Sequence, residues 1–585
     1  MTTPKRSIAI IGIGPRGSFA LERLILELSK RKILRELHIL LFDAGGQFGY
    51  GPVYGLNQND ANWLNISERV LLLERRPVIK FKDFDISSFP SYHDWIGEDL
   101  TTIQSKKIDI YPVRSKLGSY LQERFQSLII PLQKENLISL ISGKIIKINN
   151  SNIGLTLDRE DGIGYENIDE VLLTIGHQPT VDSSQITEWK KFVNKNQNLS
   201  LFSSPYPLRA YLNGGLDYST SIGIRGFGLA MIDIMRGIAN SLGTFELTDS
   251  HARHYSFSTP HTVKNLIIPF SLDGLPAVPK PLNYNLDKMF HPSEKEIISF
   301  ENYIGDISIQ KEAVNTDFLI EAFAPIAARV YFSLPKNNEY DSITEDVVIQ
   351  IVRKWLNDDQ YIHPTIVRND LIPYRMMHDF AGMATGIHDI SLDYCIGQVW
   401  RHCQPSIYEK LSYNHCIDSV VLDIVKLDEK MKRYSFGPPV DSIQQLLALV
   451  DAEVLNLNFI SNPTIKLSSQ GWKLSNDINT VVIKTMINSV LDAPVIKDID
   501  STILKNLLEN NIITVVHDEL GIDTDKYGFI SSEENSNLPI AVLGRLAKGT
   551  IIGVDAILEC FGNRPITWAS KAVDHHEEFI NNSGI

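Results

Sequence analysis

The stretch SIAIIGIGPRGSFALERLI, residues 7–25, constrains this chain more than any other. A continuously apolar, Ile-rich run enters a glycine turn and then apolar residues at helical spacing. Gly12, Gly14 and Gly17 give G-x-G-x-x-G, with Pro15 and Arg16 inside the turn. Gly12 allows the tight turn, Gly14 leaves room for a pyrophosphate, and Gly17 lets the helix pack on the strand, so that the helix N-terminus faces phosphate. A second strand, LHILLFD, ends on Asp43, where an acid accepts hydrogen bonds from an adenosine ribose. The expectation is a dinucleotide site, with a purely structural turn as the alternative. These glycines do not separate NAD from FAD.

Later segments bear on that choice. After Asp43, AGGQFGYGPVYGLNQNDANWLNISERV carries five glycines and the aromatics Phe48, Tyr50 and Tyr54, and contains WLN (Trp63, Leu64, Asn65). Such a loop suits a flat, polar-edged ring, although a structured surface turn has the same composition. DEVLLTIGHQP, residues 169–179, reads as a strand stopping at Gly176 and returning to the first nucleotide, or as an ordinary strand end. SIGIRGFGLAMIDIMRGIANSL, residues 221–242, repeats the strand, turn and helix with Gly226 and Gly228, but Met231 stands where the third glycine would be. LPIAVLGRLAKGTIIGVDAILECFG, residues 538–562, reads as a strand, a glycine turn and an apolar helix, with Gly544, Gly549 and Thr550 beside the pyrophosphate or ring.

At 585 residues the chain exceeds one ordinary core, and 43% hydrophobic with 22% charged residues is a folded, globular composition. A net charge of −14 without a basic block argues against nucleic acid and anionic membrane as partners. Apolar runs are strand-length, short of the roughly 20 residues that cross a bilayer. With no signal-peptide pattern and four cysteines lacking a C-x-x-C pair, the expected location is the cytoplasm.

Taken in order, GIGPRGSFALERL, GYGPVY with NWLN, LLTIGHQP, GFGLAMIDIM and LGRLAKGT resemble FAD/NAD(P)-binding oxidoreductases whose first turn reads G-x-G-P-R-G. They are similar, more widely, to the flavin monooxygenases that hydroxylate amine nitrogens. The resemblance implies an α/β protein with two Rossmann-like dinucleotide-binding domains, one for FAD and one NAD(P)-like, and a helical insertion. Residues 1–180 would begin the FAD-binding domain and 181–283 form the NAD(P)-like one. Residues 284–430, where HDISLDYCIGQVWRHCQPSIYEKL shows helical spacing, would be an insertion covering the active site, and 431–585 would return to the FAD-binding domain.

It further implies FAD contacts at Gly12, Gly14, Pro15, Arg16, Gly17, Asp43, Gln47, Tyr54, Trp63, Leu64, Asn65, Gly176, Gly544, Gly549 and Thr550, and NAD(P) contacts at Gly226, Gly228 and Ser271. The implied reaction uses NAD(P)H and oxygen to hydroxylate the nitrogen of a small amine or amino acid through a flavin C4a-hydroperoxide. Where the family places cations for a 2′-phosphate, this chain has Ser271, Leu272, Asp273 and Gly274. Either that aspartate disfavours NADPH relative to NADH, unless another base such as Lys264 substitutes, or the second site is vestigial. The catalytic residue stays unassigned, with His177, Arg433 and Tyr434 as candidates, the last two for a substrate carboxylate. His402, Cys403, His415 and Cys416 match no metal spacing, so no metal is expected. Two alternatives stay open: a flavin oxidase or dehydrogenase without oxygen insertion, and a non-enzymatic redox sensor. A homo-oligomer is also left open.

Overall fold

The computed structural model describes residues 5–34, 36–151, 154–335, 343–491, 495–516, 520–531 and 538–583. β1 (Arg6–Ile11) leads through the glycine turn into α1 (Pro15–Arg31), then β2 (Leu37–Asp43), α2 (Arg114–Lys134), β3 (Ile138–Ser142) and β4 (Glu170–Leu173). Further on come β5 (Ser200–Phe202), β6 (Ile222–Arg225), α3 (Leu229–Leu242) and β7 (Ile267–Phe270). A helical region follows: α4 (Glu294–Ile304), α5 (Asp317–Ser333), α6 (Glu345–Asn357), α7 (Pro373–Thr385), α8 (Leu392–Lys410) and α9 (Asp418–Ser435). The chain ends through α10 (Val440–Asp451), β8 (Thr485–Asn488), β9 (Ile540–Val542) and α11 (Asn563–Ser583).

The strands form two wholly parallel sheets, in the orders β9-β4-β1-β2-β3 and β5-β8-β6-β7. The result is a mixed α/β fold. Alternation along β1 explains why it is apolar from Ile8 to Ile11: Ile8 and Ile10 pack under α1 and α11, while Ala9 and Ile11 face the opposite core. Each fully buried isoleucine side chain contributes about 1.5–3 kcal/mol. α1 begins with Pro15 in its first turn, where a missing N–H costs nothing, and buries Ala20, Leu21, Leu24, Ile25 and Leu28 on one stripe. The second sheet repeats the plan, with Ile222 and Ile224 of β6 packed under α3.

Two expectations are corrected. Strand β8 pairs with both β5 and β6, and an antiparallel sheet over 464–483 packs Trp472 on Trp189, so residues 440–491 complete the second sheet instead of returning to the first. Strand TMIN is short and no glycine turn follows it, which left nothing local to show its sheet. After β9 the expected apolar helix is absent: Arg545–Ala547 and Ile557–Phe561 are single 3-10 turns, because Gly549 and Gly553 at φ +108° and +77° bend the chain between them. The helical region has its own core, centred on Phe323, Trp400 and Tyr394.

Candidate functional site

Both glycine turns are built alike. The Gly12 amide donates to Phe42 O at 2.8 Å, and the Gly226 amide donates to Phe270 O at 2.7 Å, so each turn leaves its strand at the same register. Gly14 and Gly228 cap α1 and α3, and neither helix has a side-chain cap or an acid in its first turn. The opening N–H groups are therefore left for an anion. A Cβ on Gly12 would lie 2.6 Å from Thr174 O, and one on Gly17 would lie 2.7 Å from Thr174 Oγ1, so protein packing alone demands those glycines. Gly14 and Gly228 differ. A Cβ on Gly14 would meet only Gly51 Cα, at 3.9 Å, and one on Gly228 would meet nothing within 4 Å. That is the empty cradle a phosphate needs. Met231 replaces the second turn's third glycine because it points into the core, fully buried.

The other FAD-side residues gather unevenly. Asp43 closes β2, and its Oδ1 accepts from the amides of Gly45 (3.1 Å) and Gln47 (2.9 Å). Thr174, just before Gly176, donates to Gly12 O at 2.5 Å, which brings the LLTIG strand back to the first turn. Pro15 and Arg16 open α1. Arg16 does not reach into a ligand space: its guanidinium donates to Glu559 O (3.0 Å) and Val554 O (3.4 Å), tying the turn to the C-terminal segment. Gly544 lies against Arg16, and Gly549 against Leu520. Thr550 donates its hydroxyl to Asp523 at 3.2 Å. Gln47 lines a separate cavity with Tyr206 and Arg209, away from Asn65.

Tyr54, Leu64 and Asn65 stand between two other cavities. One, of about 180 Å³, also has Trp63 on its wall and is closed on the far side by Leu229, Ile232 and Asp233 from the first turns of α3. It joins the loop after β2 to the start of the second glycine helix. Buried charges span it: Asp233 accepts from Arg114 (2.7 Å) and from the Tyr206 hydroxyl (2.7 Å), and Arg236 lies 4.0 Å over the Trp63 ring. Burial raises the Asp233 carboxyl against the pull of Arg114 and Arg236, and burial pushes Arg236 down to about 10.

The other cavity, of about 640 Å³, runs from Asn65 to Arg401 and His402 of α8 and to residues 555–559. Lys280 on its wall donates to Asn65 O, and burial with Arg401 nearby pushes its ammonium down to about 7. Asp287 accepts from Arg69 (3.0 Å), from Arg401 and from His402 (3.1 Å), and Arg69 also holds Asp109 at 2.7 Å. Burial alone would raise the Asp287 carboxyl, but Arg401, His402 and Arg69 hold it well below the usual range. Burial and Arg401 push His402 down to about 4.

The catalytic candidates fall outside both cavities. His177 meets Arg545 Nη1 at 2.9 Å beside the C-terminal turn. Arg433 donates to Pro276 O (3.0 Å) and Asn369 (3.1 Å), and Tyr434 donates to the buried Asp393 at 2.9 Å. Both stabilise the helical region and are not placed to hold a substrate carboxylate. Sequence reasoning missed Arg69, Asp109, Lys280, Asp287 and Arg401, which lie far apart in the chain with no shared spacing. Asp287, His291 and His402 bring ligand atoms within 4.8 Å of one another, but two guanidinium groups already occupy Asp287 and oppose a cation, so this trio does not fit a metal ion. Among the described residues, no helix is long and apolar enough to cross a membrane.

In sequence, the chain is similar to known proteins over part of its length. Residues 9–178 match the model of the FAD-NAD(P)-binding family, the stretch that runs from the GIGPRG turn to LLTIGHQP. Among individual proteins, nitrosuccinic acid synthase from Aspergillus oryzae is 25% identical over 259 residues, which are 43% of this chain and 38% of that protein. The match thus spans under two fifths of that relative's length. Among solved structures, ornithine hydroxylase from Pseudomonas aeruginosa aligns over 98% of this chain and 99% of its own, at 12% identity and a TM-score of 0.44. L-lysine 6-monooxygenase from Pseudomonas syringae aligns over 98% and 99%, at 11% identity and a TM-score of 0.46.

Proposed function

We propose that this chain is an FAD-dependent monooxygenase that takes electrons from a reduced pyridine nucleotide and hydroxylates the nitrogen of a small amine or amino acid. The observation that carries this reading is the pair of empty glycine cradles, at Gly14 and Gly228: the first lies against Gly51 of the loop after β2, and that loop's Tyr54, Trp63 and Asn65 share one small cavity with Leu229, Ile232 and Asp233 of α3. An electron donor held at α3 and an acceptor held at α1 would meet there. The fungal relative, named for making nitrosuccinic acid, lends support to nitrogen as the oxidised atom.

FAD, when bound, supplies hydride acceptance and oxygen activation. The chain's own residues supply the rest. The cavity beyond Asn65 is walled on one side by α8 and by residues 555–559. An amine must be unprotonated to accept oxygen, and Lys280 Nζ, near its midpoint at neutral pH, can hold the proton that the substrate nitrogen gives up.

The test is an absorbance spectrum of the purified protein, followed anaerobically as NADH and NADPH are added in turn. Flavin bands that bleach, and that on exposure to oxygen with an amine panel yield a nitrogen-oxidised product, are the expected result. Bleaching followed only by hydrogen peroxide with every amine removes the monooxygenase reading. Bands that resist both nucleotides yet bleach with an organic substrate leave an oxidase or dehydrogenase.

A further inference from the structure

The structure assigns Asp273, with Ser271 and Leu272, as the group that selects NADH over NADPH at the second glycine turn; this rests on the electron-donor role proposed above. Paired register locates the group. β2 lies beside β1 as β7 lies beside β6, with Ile11 opposite Phe42 and Arg225 opposite Phe270. The next residue is Asp43 in the first sheet and Ser271 in the second. At this place a Rossmann-type site meets the adenosine ribose, and an acid there accepts the 2′-hydroxyl whereas a cation accommodates a 2′-phosphate. The hairpin over 244–258 lengthens the connection between α3 and β7, so the usual spacing from glycine turn to acid is lost although the spatial relation is kept.

Asp273 brings its carboxylate back to that position. Its Oδ1 accepts from Ser271 Oγ at 3.3 Å and from the Leu275 amide at 3.0 Å. In the first sheet, Asp43 Oδ1 accepts from two nearby backbone amides, where Asp273 accepts from one amide and one hydroxyl. Among the described residues, Asp273 has no ion pair and no hydrogen bond at Oδ2, so that oxygen faces solvent as an acceptor. Leu272 beside it is 86% exposed, an apolar side chain presented where an adenine face would rest.

The cations that could offset the aspartate are elsewhere. Lys264 precedes β7 while Ser271 follows it, a separation of roughly 20 Å at about 3.3 Å per residue. Lys264 is also paired with Glu453 at 2.9 Å. Arg225 ends β6 but turns to Asn488 on β8 (2.9 Å), on the side away from β7. A 2′-phosphate would thus meet the Asp273 carboxylate, with neither Lys264 nor Arg225 turned toward it.

The experiment is calorimetric titration of the purified, flavin-bearing protein with NAD⁺ and with NADP⁺, alongside the rates at which NADH and NADPH bleach the flavin. The expected result is NAD⁺ binding at least about tenfold tighter, with reduction rates in the same order. Asp273→Asn, nearly the same in shape, should bring the binding ratio toward one while the melting temperature stays put. Leu272→Arg with Asp273→Arg should reverse it. Equal or tighter NADP⁺ binding by the unaltered protein, or a ratio unmoved in Asp273→Asn, overturns the assignment and leaves the electron-donor role standing. If neither nucleotide binds and neither bleaches the flavin, both fall.

Discussion

Gly14→Ala is expected to fold with an unchanged melting temperature and to lose its flavin, whereas Gly17→Ala is expected to give little folded protein. The two glycines lie three residues apart in one motif, and the contrast follows from what each lacks a side chain for. Gly14 sits at φ −80°, ψ −164°, a conformation that alanine adopts freely, and its added methyl would enter open space. Nothing in the protein resists it, but a phosphate approaching the α1 amides would. An added methyl on Gly17 would run into the carbonyl of Gly12 and the hydroxyl of Thr174, with strand backbone on one side and the first helical turn on the other. Overpacking of this kind costs about 1–3 kcal/mol or more, a large part of the roughly 5–15 kcal/mol that holds a domain together. The measurement is the ratio of flavin to protein absorbance together with a thermal melt. Gly14→Ala with a full complement of flavin would show that the cradle holds something else.

The same contrast shows what could be read in the chain. Strand, turn and helix over residues 7–25 were legible because each glycine serves a local purpose and the neighbouring residues obey the period of their element. Asp43 was legible because it ends a strand whose length is fixed by the first. The second turn was legible at Gly226 and Gly228, and Met231, standing in the place of the third glycine, is core packing that the turn tolerates. What stayed hidden depends on contacts between distant segments. β8 inserts between β5 and β6 more than 240 residues after β6, a placement that no local pattern marks. The cluster around Asp287 draws Arg69 from the first sheet's loops and Arg401 from α8, joining charges that the sequence separates by 218 and 114 residues. Arg16, by contrast, was expected at the nucleotide and is taken up by backbone carbonyls of the C-terminal segment, because the single 3-10 turns there leave carbonyls that a helix would have used.

That cluster is expected to contribute to the protein's response to acid. Asp287→Ala should cost about 3–5 kcal/mol, because Arg401 is left beside the cavity without its carboxylate and Arg69 keeps only Asp109. Its neighbour His402 moves the onset of acid unfolding upward. Burial and Arg401 keep the folded imidazole neutral down to about pH 4, whereas in the unfolded chain it protonates near its ordinary value of 6.5. Between these two values the unfolded state binds the extra proton, so stability falls as pH drops from about 6.5 to about 4, by up to about 3 kcal/mol in total. Asp287 acts in a lower window: its folded carboxyl is held below 3.8, so its contribution is present above that pH and is lost as the pH falls further. His291, whose ring centre lies 3.9 Å from that of His402 and which is itself lowered by burial, adds to the upper limb. Chemical denaturation at pH 4.5, 5.5, 6.5 and 7.5 separates the two. The unaltered protein should lose stability progressively below pH 6.5, and His402→Gln, which keeps a donor for Asp287 but cannot titrate, should flatten most of that slope. A stability that is level from pH 6.5 to 4.5, or a slope that His402→Gln leaves intact, would mean that His402 is charged in the folded protein. The four groups would then form a conventional ion-pair network in which His402 strengthens Asp287 at acid pH.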